Sequence, residues 1–405
     1  MFLHFSGLMV DAFQGTALVP SIQDYIDTVK SKYAQRICKI EILYSLPTPT
    51  DMYEAVIETL TPDITDGDLQ ITAESSSRRN CNILLDNSTG IYTPATPTLS
   101  NPSGSFWINT KYKVYTGYIV NGLEYNISRG IFVSGEPTVG SDGANKTVNL
   151  QLYDKWALLD GTLGGTLDVE YVAYVGASIT DIVKAVFLDA GELKEPIIEP
   201  TTETLAWNLV KAAGNTYADI LNELASMLSW VVYYDNNGYP RFEPPTDLET
   251  EGSSWDFVTT EINYLGSQHR YEYSKVKNYI VVIGNNINAP TNIKAIAEND
   301  GTGKYLNSPT QVSLIGKKVS VITDQLISTG VLAQARADYE LEIATSLVET
   351  VNMESVPIDI LDVDQVITVT DSSNGLNTDR YLVKNISFPL LNTGNQTLNV
   401  WKGVQ

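Results

Sequence analysis

The chain has 405 residues, 43% of them hydrophobic and 18% charged, the balance of a folded globular protein and not of a disordered one. Its formal net charge of −22, from 26 basic against 48 acidic residues, argues against nucleic-acid binding, because so negative a surface repels phosphate. Single domains hold roughly 100 to 200 residues, so the length predicts two to four packed units, and no run approaches the roughly 18 apolar residues of a membrane helix.

Met1 to Val10 is apolar, but residues 1–29 contain neither Lys nor Arg, so the basic stretch of a secretory signal is missing and the segment reads as a buried arm. Ser21 to Gln35 predicts a short helix: Ser21 is the N-cap, Asp24 follows three residues on, and Ile22, Tyr25, Ile26 and Val29 make an apolar stripe. From Arg36 to about Leu159 the pattern is one of short strands, as in a barrel or sandwich. Turn chemistry separates them at Pro47-Thr48-Pro49, Asp66-Gly67-Asp68, Asn87-Ser88-Thr89-Gly90, Pro94 to Pro102 and Ser141-Asp142-Gly143. The most informative stretch is Trp107 to Pro137. Two alternating strands flank Asn121-Gly122, a dipeptide suited to a tight hairpin, and a third strand follows at Gly130 to Val133. The period of two places Tyr112, Val114, Thr116, Tyr118 and Val120 on one face.

The period then becomes helical. Ser178 and Asp181 make a capping box ahead of Ile179, Ile182, Val183, Val186 and Phe187, with Gly191 as the stop; Thr216 and Asp219 repeat the device ahead of Ile220, Leu221, Leu224, Ala225 and Leu228. The strand Trp230 to Tyr234 turns at residues 235–238 toward Tyr239 to Glu243, and Pro244-Pro245 with Thr246 to Ser254 reads as a linker. Lys275 to Gly284 is a strand, Asn285 to Pro309 a loop, and Ser328 to Leu347 a helix with Leu332, Ala335, Tyr339, Ile343 and Leu347 along one side. Strands return at Gln365 to Thr370, Tyr381 to Phe388 and Gln396 to Trp401, with Asn374-Gly375 between the first two.

Residue chemistry points away from catalysis. The two histidines, His4 in the apolar arm and His269 beside Arg270, have no local partner from which a hydrolytic relay could be built. Cys38 and Cys81 lie in separate segments without a CxxC and read as small buried thiols. Glu170, Asp181, Glu223, Asp362 and Asp364 read as solvated or capping carboxylates, because a glycosidase pair is recognised by separation in space and not by abundance. Asp300-Gly301-Thr302-Gly303-Lys304 fails the phosphate-loop pattern at Glu298 and Tyr305, and Asp371 to Asp379 fails the calcium-loop pattern. The N-x-[ST] positions Asn87, Asn126, Asn145, Asn385 and Asn395 reflect a turn-rich sequence. Tyr112, Tyr115, Tyr118 and Tyr125 fit sheet packing or a subunit contact better than ligand binding. No catalytic, cofactor-binding or metal-ligating residue is assigned.

The order of these segments resembles the baseplate hub, or tail hub, proteins of bacteriophage tails and related injection machines. The likeness is carried by residues 68–73 with 78–85, Lys113 to Val120, Gly130 to Val133, Val148 to Lys155, the two middle helices, Tyr233 to Tyr239 and Asp362 to Val369. It implies a mainly β fold with α+β elements: two small tail-tube-type β-barrels joined by α/β subdomains. The division it implies is an arm and helix over 1–35, a first barrel over 36–165, an α/β middle over 166–250, and a second barrel over 251–405 with a helix inserted at about 328–347. It further implies a homotrimer, a pseudo-sixfold ring that joins a sixfold tail tube to a threefold spike or fibre complex and lets DNA pass. Expected partners are a tail tube or distal tail protein and a spike, fibre or tape-measure protein, with no membrane, no specific nucleic-acid binding and no enzymatic activity. The location implied is the virion tail, with assembly in the host cytoplasm. In that setting the acidity suggests carboxylates facing the lumen. The alternatives are a carbohydrate-binding or host-adhesion module of the tail tip and, behind it, a polysaccharide-degrading enzyme.

Overall fold

The computed structural model describes residues 20–44, 55–93, 110–143, 145–271, 273–284, 293–324, 327, 329–345, 347–391 and 394–404; the arm Met1 to Val10, His4, Pro47-Thr48-Pro49 and the Pro94 to Pro102 loop lie outside them. The first region holds α1 (Ile22–Val29) and strands β1 (Arg36–Tyr44), β2 (Ala55–Thr59), β3 (Ile64–Thr72), β4 (Arg79–Asp86), β5 (Lys111–Val120), β6 (Leu123–Ser134), β7 (Thr138–Ser141) and β8 (Lys146–Asp154). The middle holds β9 (Tyr171–Ala173), α2 (Ile179–Asp189), β10 (Ile197–Ile198), β11 (Leu209–Lys211), α3 (Tyr217–Leu228), β12 (Val231–Tyr234) and β13 (Pro240–Glu243). The last region holds β14 (Ser253–Val258), β15 (Tyr264–Tyr271), β16 (Tyr279–Gly284), β17 (Ile293–Glu298), α4 (Val312–Ile315), β18 (Val319–Asp324), α5 (Gly330–Thr345), β19 (Leu347–Ser355), β20 (Val366–Asp371), β21 (Leu376–Pro389) and β22 (Gln396–Val404). The fold is mainly β with α+β elements, as the sequence leads one to expect.

Local chemistry explains most of these elements. Ser21 and Asp24 cap each other's backbone at α1, and Thr216 and Asp219 do the same at α3; at α2 Ser178 accepts from the Asp181 N–H, the forward half of the expected box. The β5–β6 hairpin turns on Asn121 at φ 52° and Gly122 at φ 80°, the paired positive angles that match the twist of the flanking strands. Tyr112, Val114, Thr116, Tyr118 and Val120 all point inward and are fully buried.

Two glycines read as strand boundaries sit inside strands. Gly130, at φ 143°, marks a bulge opposite Val114 and Tyr115, so β6 is one twelve-residue strand where the sequence suggests two. Asp66-Gly67-Asp68, read as a turn, lies within β3: a Cβ at Gly67 would come 2.7 Å from both the Asn82 carbonyl oxygen and Leu390 Cδ1, so glycine serves close packing. The loop expected over Asn285 to Pro309 contains β17, and the linker ending at Ser254 already includes the first residues of β14. With β16 and β18, β17 forms a three-stranded sheet on which α5 packs, burying Ile280, Val282, Ala295, Ala297, Ala333, Ala337 and Leu341. The side of α5 expected to be apolar, Leu332, Ala335, Tyr339, Ile343 and Leu347, is therefore corrected: Ala335 and Ile343 are exposed, Leu347 opens β19, and the small Ala333 and Ala337 let the helix sit close on the sheet.

The first and last β-regions share one 14-stranded sheet, whose main path runs β15-β19-β22-β21-β3-β4-β8-β6-β5-β1-β2, with β14–β20 and β7 branching from it. The join is β21 against β3, antiparallel from Asn385↔Thr72 to Pro389↔Asp68. A single buried cluster follows the sheet, from Tyr25, Ile40 and Leu69 through Phe132 to Trp255, Phe257, Ile367 and Val400. The middle region keeps its own core around Trp156, Phe187, Leu224 and Phe242.

The pairing of β5 with β6 leaves no space beside Gly117, where a Cβ would fall 1.8 Å from the Tyr125 carbonyl oxygen. Gly117→Ala is therefore expected to force the hairpin apart and to lower stability by about 1–3 kcal/mol. An unchanged urea midpoint would contradict this packing.

Candidate functional site

The interior holds an unusual concentration of charge at the junction of the two β-regions. Arg36, Arg79 and Arg129 occupy inward positions of their strands, in step with Cys38 and Ile40, Cys81 and Ile83, and Tyr125 and Ile127; with Arg78 they are at most 7% exposed. All four reach the segment 357–364, between β19 and β20. Arg36 Nη2 lies 2.9 Å from Asp359 Oδ1, Arg78 Nη2 2.6 Å from Asp364 Oδ2, and Arg79 Nη2 2.5 Å from Asp362 Oδ2. Arg129 Nη1 donates to the Asp359 and Leu361 carbonyls, and Lys384 Nζ lies 3.2 Å from Asp364 Oδ1.

The segment's backbone is served by side chains as well. Tyr118 donates its hydroxyl to the Pro357 carbonyl at 2.7 Å, Gln396 Oε1 accepts from the Ile358 N–H at 2.6 Å, and the Tyr25 hydroxyl accepts from the Asp359 N–H at 2.8 Å. A buried loop is tolerable only when its peptide groups are paired, and here the partners come from α1, β5, β6 and β22. Burial alone would raise the Asp362 carboxyl, yet the guanidinium groups of Arg79 and Arg129 hold it below the usual range. Burial lowers Arg129 and raises the Tyr25 hydroxyl well above its ordinary value.

The clamp extends into the middle region. Arg79 Nη1 donates to the Tyr234 carbonyl at 2.7 Å, and the Arg78 guanidinium lies 3.3 Å from the centre of the Tyr233 ring. Lys155, 2% exposed, pairs with Glu192 and donates to the Gly238 carbonyl.

Asp362 and Asp364, read as solvated or capping groups, are thus ion-paired struts. Of the other carboxylates, Glu223 pairs with Lys211, Asp181 stands in the first turn of α2, and Glu170 is exposed. His269, for which the sequence offers no local partner for a relay, gains a distant one by strand pairing: β19 brings Glu349 Oε1 to 2.6 Å from His269 Nδ1, while Ser267 Oγ lies 3.1 Å from Nε2. The atoms fall in the order of a Ser-His-acid relay. Ser267 Oγ also takes a 2.8 Å hydrogen bond from the Tyr264 hydroxyl, which in turn reaches Asp371 at 3.0 Å, so the chain ties the outer strand β15 to the β20–β21 turn. Cys38 and Cys81 are buried, and burial raises the Cys38 thiol to about 12. Asp300 accepts from Thr302, and Lys304 pairs with Glu342 across to α5, so that loop is closed on itself. Among the described residues no group of three His, Cys, Asp or Glu is placed to share an ion, and no helix is long and apolar enough to cross a membrane.

The outer face of the continuous sheet has a chemistry of its own. One transverse row reads Gln268, Asn352, Asn399, Asn385 and Thr72; the next reads Glu354, Thr397, Ser387, Gln70, Asn80 and Tyr153. Asn399 donates to Asn352 at 2.7 Å. These rows line a cleft of about 1010 Å³ that reaches Arg78 and Arg79. The face crosses from one β-region to the other through the β21–β3 join and consists almost wholly of amides and hydroxyls.

No protein-family model and no curated protein sequence matches the chain. Solved structures do. A 43 kDa tail protein of prophage MuSo2 from Shewanella oneidensis aligns with a TM-score of 0.61 at 13% identity, over 90% of this chain and 98% of that one. A tail protein from Neisseria meningitidis aligns with a TM-score of 0.61 at 10% identity, over 91% and 97%. A prophage tail protein from Listeria monocytogenes gives 0.55 at 9% identity, over 91% and 95%. The chain therefore has the fold of phage tail proteins along nearly its whole length, and the likeness drawn from its sequence holds at the level of the fold.

Two outcomes follow from the buried charges. Asp359→Ala would leave Arg36 buried without its carboxylate and should cost about 3–5 kcal/mol, read as a lower urea midpoint, whereas Glu195→Ala in the exposed pair with Lys184 should cost under about 1 kcal/mol. Asp154 is buried, and burial outweighs the pull of Arg79, raising its carboxyl from 3.8 to about 6. The protonated form is favoured in the folded state, so its contribution is full below about pH 4 and lost as pH rises through about 6, a drop on the order of 2–3 kcal/mol. Asp154→Asn should flatten the stability profile between those values; an unaltered slope in the variant would exclude the assignment.

Proposed function

We propose that this protein is a structural hub of a phage-type tail or baseplate, three copies of which form a ring between the tail tube and a spike or fibre complex. The observation that carries this reading is the sheet continuous through both β-regions. A chain with two tube-like units side by side in one sheet offers six such units per three copies, the count needed to meet a sixfold tube from a threefold body. Among the described residues β15 and β2 end the sheet's main path, and their free ladder groups suit pairing between copies. The expected neighbours are a tail tube or distal tail protein on one side and a spike, fibre or tape-measure protein on the other. The expected place is the virion tail.

The amide and hydroxyl face suits the wall of the bore. Neutral amides neither condense on phosphate as lysines would nor repel it as carboxylates would, so DNA can slide past without being held. This revises the acidic lumen inferred from net charge, since the carboxylate of these two rows is Glu354 alone. A glycan-binding reading of the cleft is less favoured, because Tyr153 is the single aromatic residue among those lining it and sugar sites rest on aromatic faces.

Electron microscopy of the purified protein and of assembled tails tests the reading. Three copies of the 44.5 kDa chain around one axis, with six sheet segments about the bore, are expected. A solitary molecule within the tail, or a ring of six copies, would refute it.

A further inference from the structure

Among the described residues, α5 covers one face of the three-stranded sheet β17–β16–β18. On its other face the register sets Ile296, Val281 and Val321 in one row, with Ile283, Tyr279 and Val319 beside them. Ile296 is 40% exposed, Val319 47% and Val321 59%, around a central Val281 that its strand neighbours leave 8% exposed, an apolar surface on a sheet that would ordinarily be covered. Its rim is cationic. Lys294, Lys317 and Lys318 are all exposed there, Lys317 lying 3.7 Å from the centre of the Tyr279 ring, while Glu298 stands at one corner.

A second apolar patch lies on the two-stranded sheet β9–β11. Val172 and Val210 face each other across it, Val210 is 48% exposed, and Tyr174, two residues on from Val172, is 68% exposed. Its rim is anionic: Asp168 and Glu170 are exposed, and the nearby Lys211 is already paired with Glu223.

These surfaces cannot meet within one chain. Helix α5 occupies the inner side of the first sheet and carries the contact with the middle region, where Arg336 donates to the Ser226 carbonyl and to Ser229 Oγ. The open face consequently looks away from the middle region of its own chain. We infer that it docks on the β9–β11 patch of a second copy, the lysine rim of one chain against the carboxylate rim of the next. Two different patches in contact make a head-to-tail interface, which can close a cyclic ring, whereas a self-complementary patch would stop at a dimer. This rests on the ring reading above and adds to it a contact outside the continuous sheet. Charge complementarity selects the partner and the apolar centre supplies affinity.

Charge reversal of the full-length protein tests the contact, with assembly followed by sedimentation and mass photometry. Lys317→Glu with Lys318→Glu, and separately Asp168→Lys with Glu170→Lys, should each weaken the ring at least about tenfold while leaving the thermal midpoint of the monomer unchanged, because all four side chains are exposed. The fourfold variant restores opposite signs and should regain most of the assembly. Rings of wild-type strength in both double variants would overturn this contact and leave the ring reading standing, and a fourfold variant no better than the doubles would overturn the pairing of these two rims. A wild-type chain that stays monomeric at every concentration would overturn both.

Discussion

Burial of arginine inside the junction of the two β-regions is the constraint from which the architecture follows. A guanidinium withdrawn from water is costly unless it is paired, and Arg36, Arg78, Arg79 and Arg129 all find a carboxylate or carbonyl partner in one segment more than two hundred residues away in sequence, with Tyr234 and Pro389 adding further carbonyls. The first region thus cannot complete its own interior. It is finished by the last region, whose segment 357–364 would in turn be untenable without those donors. Such mutual dependence ties the relative position of the two halves to hydrogen-bond geometry as well as to apolar contact.

That tie has a mechanical meaning. Strand β21 belongs to the last region along most of its length and to β3 at its end, and Phe388 on that end is flanked by the Arg36 and Arg129 guanidinium groups at 4.9 Å and 4.8 Å. The sheet passes from one half to the other without an edge, so a load on one half reaches the other through ladder hydrogen bonds and a buried charge cluster. Rigidity of this kind is what the hub proposed above would need to hold two symmetries in register. The middle region, with its own core, is fastened beside the junction by Arg79, Lys155 and the stacking of Arg78 on Tyr233.

Periodic elements were legible wherever a local rule governed them. The hairpin at Asn121-Gly122 and the capped helices α1, α2 and α3 follow from dihedral preference, capping and spacing, whereas α5 is placed by its run but turned otherwise than its Leu, Tyr and Ile spacing suggests, because small alanines and not these larger side chains fit against the sheet. Strand β17 is hidden by Lys, Ala and Glu, weak strand formers, next to a stretch rich in Asn and Pro. Gly67 and Gly130 misled for the opposite reason: glycine announces a turn, yet at both places it answers to an atom from another strand or to a bulge. The buried clamp did leave a trace, since the period of two sets Arg36, Arg79 and Arg129 on the inward side of their strands. Nothing local, however, names Asp359, Asp362 or Asp364 as their partners.

The sequence by itself determined the class of the fold, the turn and cap chemistry, and the order of elements along the chain, because each of these depends on residues within about ten positions of one another. Only the tertiary structure decided that the two β-regions make one sheet, that the carboxylates of the segment 357–364 are internal struts, that His269 meets Glu349, and that an amide-lined face runs across the join. These depend on strand register between distant segments, and a shift of one residue would turn every side chain to the opposite face. Register is settled by how the whole interior packs, which no local window contains.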